Sequence, residues 1–279
     1  MKYDIWCFIA WRSARDDTIN LRKTRLVPLV GYPAGHIRAP SFLNPALATR
    51  GIDAIVIPWQ VAPGNLPTVI DAFRHSESMA GFIATVPHKT ALPQLCDHLT
   101  DDAAALRAVN VVRRGEDGRL EGGILDGEGF VAGLKSQGHD LTDRNVLLIG
   151  AGGAASAIAL ALAREPIASL TIANRSRDKA QALAALVGDM TGKKASEGPA
   201  DPRSYDIVVN ATVLGMKDTD PLPVSDTGFR PGQLVAEAIM QPPKTRLLSE
   251  AEQAGAEIHL GEHMVRAQIG LLIDFLFNP

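Results

Sequence analysis

The sequence predicts an α/β fold of two domains, one of them built around a doubly wound parallel sheet. Three observations lead there. At roughly 150 residues per domain, 279 residues suggest two domains. From Arg25 onward, short apolar runs alternate with helical patterns, the signature of βαβ units. At Asp143–Asn145 the pattern restarts with an apolar strand and a glycine cluster. Hydrophobic residues at 46% and charged residues at 21% allow a buried core and exclude disorder. The 28 Lys and Arg against 31 Asp and Glu leave a net charge of -3, with no basic run longer than Arg113–Arg114, so no nucleic-acid face is expected. Cys7 and Cys96 form neither a disulfide framework nor a metal motif, and no apolar run approaches the roughly 20 residues that span a bilayer. A soluble cytoplasmic protein acting on a small molecule, as monomer or homodimer, without metal, is expected.

Residues 1–24 read as an N-terminal extension, its apolar stretch Asp4 to Trp11 being either an extra edge strand or part of a poorly ordered extension. Strands follow over Arg25–Val30, Asp53–Ile57 and Ala80–Thr85, with helices over Ser41–Arg50 and Asn65–His75; the latter places Leu66, Val69, Ile70 and Phe73 on one face. A strand over Ala108–Val112 turns at Gly115–Gly118 into Leu120–Ile124 as a hairpin. In the second half, strands are expected over Asn145–Ile149, Leu170–Ala173, Asp206–Val209, Leu234–Ala236 and Glu257–His259. A long helix should follow the glycine cluster to about Arg164, another should span Arg177–Val187, and a last one Gly261–Phe277. Thr191–Ser204, rich in Gly, Lys and Pro, reads as a connecting loop.

Gly150, Ala151, Gly152, Gly153 and Ala154 stand between an apolar strand and a helix, where a dinucleotide fingerprint belongs. Glycines there admit the pyrophosphate, and the helix N-terminus supplies N–H groups and partial positive charge. A Rossmann-type domain is therefore expected. An NAD site usually ends its second strand in an acid that grips the ribose 2′-hydroxyl. Here that position reads Asn174, Arg175, Ser176, Arg177, and guanidinium groups suit a 2′-phosphate, which favours NADP over NAD. The same arginines could also be plain solvated loop residues.

Further motifs fall in a fixed order: Gly31 to His36 with Pro40 and Asn44; Gly81 to Lys89; Ala108 to Asn110; Gly122 to Asp126 with Gly129 and Phe130; Asn210 to Thr212 with Gly215 and Met216; and Met264 with Gln268. With the glycine cluster in their midst, these make the chain resemble the shikimate dehydrogenase family over essentially its whole length after residue 25. The resemblance implies NADP-linked interconversion of a ring hydroxyl and a ketone, with Lys89 and Asp126 as the catalytic pair. It implies substrate contacts from Thr85, Asn110 and Gln268. It also places Asn210, Ala211, Thr212, Gly261 and Met264 on the cofactor side. Chemically the pair is apt, since an ammonium can stabilise and protonate a developing alkoxide while a carboxylate holds it in place. The implied division is 25–126 plus 259–279 for substrate and 127–258 for NADP, with the last helix returning to the first domain.

The chain also departs from the family. The two serines and the tyrosine that hold the shikimate carboxylate are replaced by Ile37, Ala39 and Met240, and further polar positions by Ile83, Val111, Ile124 and Leu125. Hydrogen bonds to a charged group contribute about 1.5–3 kcal/mol each, so losing three amounts to about a thousandfold in kcat/KM. Two expectations follow for the substrate. Either the pocket takes a less polar relative of shikimate, or His36, Arg38 or Arg266 holds the carboxylate of shikimate, quinate or an amino-substituted analogue. A non-catalytic NADP-binding regulator is the remaining alternative, and retention of both Lys89 and Asp126 argues against it.

Overall fold

The computed structural model describes residues 23–35 and 37–278. The edge strand or extension expected over Asp4 to Trp11, Cys7 and His36 lie outside the described residues. Among the described residues, twelve strands form two six-stranded sheets.

The first sheet holds β1 (Arg25–Gly31), β2 (Ala54–Gln60), β3 (Gly81–Ala84), β4 (His98–Leu99), β5 (Val111–Arg114) and β6 (Leu120–Gly123), in the order β2-β1-β3-β5-β6-β4. β1 runs parallel to β2 and β3, but β5 is antiparallel to both β3 and β6. The sheet is thus mixed, because the Gly115–Gly118 turn folds β5 and β6 into the expected hairpin. The strand expected from Ala108 begins at Val111; the backbone of Asn110 is held between Ala84 and Gly123, and the Val109 N–H donates to the Lys89 carbonyl. Helix α1 (Pro40–Thr49) covers the edge of β2: the Asn44 amide accepts from Val56 N–H at 2.8 Å and donates to its carbonyl at 3.0 Å, satisfying backbone groups that an edge strand leaves open. Helix α2 (Leu66–Arg74) buries Leu66, Ile70 and Phe73, as its periodicity predicts. A short helix that the sequence pattern did not reveal, α3 (Asp101–Leu106), is capped by the Thr100 hydroxyl.

The second sheet is wholly parallel. Its strands are β7 (Asn145–Ile149), β8 (Ser169–Ala173), β9 (Ala195–Glu197), β10 (Ile207–Asn210), β11 (Leu234–Glu237) and β12 (Glu257–His259), ordered β12-β11-β10-β7-β8-β9. Between them run α4 (Asp126–Ser136), which enters this half, α5 (Gly153–Arg164), α6 (Arg177–Thr191) and α7 (Arg246–Gln253). Counted from β7, the strands take the doubly wound order 3-2-1-4-5-6, whose switch point, and hence ligand crevice, lies between β7 and β10. One expectation is corrected here: the stretch Thr191–Ser204 is not merely a loop, since β9 pairs with β8 inside it. Three residues flanked by Gly, Lys and Pro carry too little periodicity to announce a strand.

The last helix, α8 (Glu262–Phe277), packs most extensively on α4 and also touches α1 and β5. Leu272, Ile273 and Leu276 join Leu43 and Leu47 in the core of the first sheet, while Met264 belongs to the core of the second. Among the described residues no helix is long and apolar enough to cross a membrane.

Candidate active site

Asp126 opens α4, a helix whose start is rich in glycine. A Cβ at Gly127 would meet the Ala157 carbonyl at 2.0 Å, and one at Gly129 would meet Gln268 Cβ at 2.8 Å. These glycines let α5 and α8 approach closely, and the second brings Gln268 up against Asp126. The price in helix propensity hides α4 from the sequence pattern.

Around Asp126 three predicted residues converge. Its Oδ2 lies 2.6 Å from Lys89 Nζ, and its Oδ1 accepts from Asn110 Nδ2 at 2.8 Å and from Gln268 Nε2 at 3.3 Å. Asn110 Oδ1 in turn accepts the Leu125 N–H at 3.0 Å, which fixes the amide's orientation. Asp126 is buried, with 6% of its side chain exposed, whereas Lys89 keeps 22% and so can reach a ligand. Lys89 follows the turn after β3, where Thr85 is half-buried and its N–H donates to the Val30 carbonyl. Just before it, His88 is buried with Nε2 2.9 Å from the Val61 carbonyl, which ties that turn to the residue that follows β2. Asn110 and Gln268, expected to contact substrate, thus also serve as donors to the catalytic carboxylate.

Next to this polar cluster the wall is apolar. Ile37, Ile83 and Val111 are buried in one cluster, with Ala39 and Leu125 packed against it. Ile124 belongs to the adjoining core. Met240 is half-buried and is not part of that cluster. Of the cations considered for a carboxylate, Arg266 sits 4.7 Å over the Phe42 ring and 3.5 Å from Glu262, and Arg38 is exposed.

At the switch point of the second sheet, Gly150 has φ +122°, and a Cβ there would meet the Ala211 carbonyl at 2.9 Å. The turn after β7 therefore lies directly against the loop after β10. Gly152 caps α5 and Gly153 opens it; both are exposed, with open space where a Cβ would stand, so backbone N–H groups at that helix start are accessible to a phosphate. Ala151 and Ala154 are half-buried beside them. After β8, Asn174 donates to the Ser176 carbonyl, and Ser176 stands just before α6 without a capping bond from its side chain. Arg175 is exposed, with no side-chain partner among the described residues. Arg177 is instead gripped by Glu197 of β9 through two bonds of 3.0 and 3.1 Å, which raise its already high pKa. Glu197 escaped the sequence reading because β9 did. Gly261 and Met264 sit in packed surroundings: a Cβ on Gly261 would strike the Ile239 carbonyl at 2.2 Å, and Met264 is core. A second buried carboxylate, Glu237 at the end of β11, binds Asn210; nothing in its sequence context had singled it out.

Residues 29–112 match the family described as shikimate dehydrogenase substrate binding domain, and 133–215 that described as shikimate / quinate 5-dehydrogenase. A curated protein of Rubrobacter xylanophilus named shikimate dehydrogenase (NADP(+)) is 37% identical over 251 residues, covering 88% of each chain. The shikimate 5-dehydrogenase of Thermus thermophilus, solved with NADP(H) and shikimate, superposes with a TM-score of 0.82 at 28% identity, over 91% of this chain and 94% of that one. The ligand-free 5-ketofructose reductase of Gluconobacter sp. strain CHM43 gives 0.81 at 30% identity, over 92% and 94%.

Proposed function

The chain belongs to the shikimate dehydrogenase family, and from that membership we propose which of its own residues carry the reaction and what its pocket accepts. The protein is an NADP-dependent oxidoreductase acting on a CH–OH group. The first sheet with α8 forms the substrate side and the second sheet the cofactor side. The open glycine positions at the start of α5 suit a pyrophosphate, and the unengaged Arg175 suits a 2′-phosphate. When bound, NADPH supplies the hydride that reduces a ring ketone, and NADP+ receives it in the reverse direction.

The reading rests on the contact of Lys89 with Asp126 at 2.6 Å. In the reducing direction, Lys89 Nζ faces the developing alkoxide, stabilises it and delivers a proton to that oxygen; in oxidation it takes the proton back. Asp126 holds the ammonium in place. Asn110 and Gln268 hold Asp126, and the half-buried Thr85, on the segment that leads from β3 to Lys89, is the residue assigned to orient a ring hydroxyl.

The apolar wall of Ile37, Ala39, Ile83 and Leu125 favours a substrate without a carboxylate in the family's usual place, since a carboxylate against such a surface without partners is strongly disfavoured. Similarity to a ketofructose reductase, whose name denotes a sugar ketone, is in line with this. The test is a steady-state screen following NADPH absorbance over shikimate, quinate, amino-substituted analogues and neutral cyclic polyols and diols. NADP-linked turnover of a ring hydroxyl is expected, with neutral rings preferred. No NADP-linked turnover of any of these would contradict the activity. A kcat/KM for shikimate of about 10⁴ M⁻¹s⁻¹ or more, ordinary for enzymes, would contradict the neutral preference alone.

A further inference from the structure

We propose that Glu237 is a positioning residue for the cofactor: its carboxylate orients Asn210 so that the loop after β10 keeps the shape that meets the dinucleotide, and protonation releases that loop. The inference rests on the reading that the dinucleotide lies on the turn after β7.

Asn210 and Glu237 end adjacent strands in register and are both fully buried. Asn210 Nδ2 donates to Glu237 Oε1 at 2.9 Å and Oε2 at 3.2 Å, and also to the Leu214 carbonyl at 3.0 Å. Its Oδ1 accepts the Thr212 N–H at 3.1 Å and the Thr212 hydroxyl at 2.7 Å. The Thr212 hydroxyl oxygen then accepts the Leu214 N–H at 3.0 Å. This chain of side-chain bonds across residues 212–214 therefore depends on which way the Asn210 amide points. The same loop presses its Ala211 carbonyl against Gly150, the first glycine of the cofactor turn.

The orientation is selected by acceptors facing Nδ2, and the Leu214 carbonyl takes one of its two protons and leaves the other to a second acceptor. Glu237 supplies it, and its remaining partners are donors too: the Thr245 hydroxyl at 2.9 Å and the Ile239 N–H at 3.3 Å. A proton on the carboxyl takes away the charge and one of the two oxygens that accept from Nδ2, and so weakens the hold on this orientation. A flip of the amide would aim Nδ2 at the Thr212 N–H, two donors face to face, and undo the loop. No ammonium, guanidinium or imidazole among the described residues is bonded to Glu237. On α7, Arg246 pairs with Glu250 at the surface, and Lys244 pairs with Glu252. On β12, His259 is in register with Ala236 rather than Glu237. Beyond the loop, Asp220 accepts the Gly215 and Lys217 N–H groups. Burial consequently dominates the hydrogen bonds and pushes the Glu237 carboxyl up to about 7, so the switch lies in the neutral range.

The experiment is calorimetric titration with NADP+ from pH 6 to 8.5 on the wild type, Glu237→Gln and Thr245→Val. The ligand's own 2′-phosphate titrates near 6 in all three proteins, so the difference between them carries the signal. The wild type should lose about tenfold in affinity between pH 8 and 6 beyond what Glu237→Gln loses, and the variant should bind about tenfold more weakly at pH 8.5. Thr245→Val, which takes one donor from the carboxylate, should move the wild-type limb to higher pH. Equal affinity and equal slope in wild type and Glu237→Gln overturn the proposal. If Glu237→Gln does not fold, a limb unmoved in Thr245→Val overturns it. A wild type that binds no NADP+ at any pH overturns the cofactor reading beneath it instead.

Discussion

Two buried carboxylates, one in each half of the molecule, meet opposite company. Asp126 faces the Lys89 ammonium and two amide donors, and the lysine beside it keeps a path to solvent. Glu237 faces an amide, a hydroxyl and a backbone N–H, with no cation in contact among the described residues. The first arrangement keeps a charge pair poised for chemistry on a bound ligand. The second buries a lone acid whose charge is opposed by burial and supported only by neutral donors, so its proton comes and goes in the neutral range. Position alone, at the end of a strand near a ligand crevice, does not distinguish them; their partners do.

The comparison breaks most visibly at the first carboxylate. Asp126→Asn removes the partner of the Lys89 ammonium and should lower kcat by about 10²–10³-fold with NADP+ affinity within about twofold of the wild type, as steady-state kinetics and calorimetry will report. At the second carboxylate the largest effect falls on folding. Glu237→Leu strands the Asn210 amide, the Thr245 hydroxyl and the Ile239 N–H without their acceptor, and should cost about 3 kcal/mol in urea denaturation at pH 7.

A finer distinction comes from the pH dependence of stability. The Glu237 carboxyl titrates at about 7 in the folded chain and near its ordinary 4.5 when unfolded, so the folded state holds the extra proton between those values. Stability from this group is complete below 4.5 and lost as pH rises through 7. His259 acts with the opposite sign. Buried without a partner on either ring nitrogen among the described residues, and beside His263 and His139, it is pushed down to about 3. Its contribution is complete above 6.5 and lost as pH falls toward 3. Urea unfolding at pH 5 and pH 8 should therefore show Glu237→Gln losing less stability across that interval than the wild type, by about 3 kcal/mol at most. An equal loss would remove the distinction between the two acids.

The smallest effects concern the two arginines. Arg175→Ala should raise the KM for NADP about tenfold, whereas Arg177→Ala, whose guanidinium is already bonded to Glu197, should change it by less than about threefold. The reverse order would show that Glu197 releases its partner to the cofactor.

Elements with strong periodicity were legible from sequence. β7 and α5 fall where an apolar run followed by glycines and an Ala/Leu helix put them, and α8 spans nearly the expected residues. Of the elements that escaped, α4 and β9 answer to neighbours rather than to local propensity, whereas α7 is an exception that escaped although the Thr245 cap and the buried Leu247, Leu248 and Ala251 give it a local pattern. The glycines of α4 are shaped by close approach of α5 and α8, and β9 is only three residues long. The site shows the same division. Lys89, Asp126, Asn110 and Gln268 lie far apart in sequence, and their grouping came from motif order rather than from any local signal. Glu197 and Glu237 became visible only once strand pairing set them beside Arg177 and Asn210.

The central claim is that Lys89, held by Asp126, exchanges the proton that accompanies hydride transfer. Its most direct test is kcat for Lys89→Ala on the substrate that the wild type turns over best, with NADP+ affinity measured in parallel. The account predicts a fall of about 10²–10⁴-fold in kcat with cofactor affinity preserved. Turnover equal to that of the wild type would contradict it.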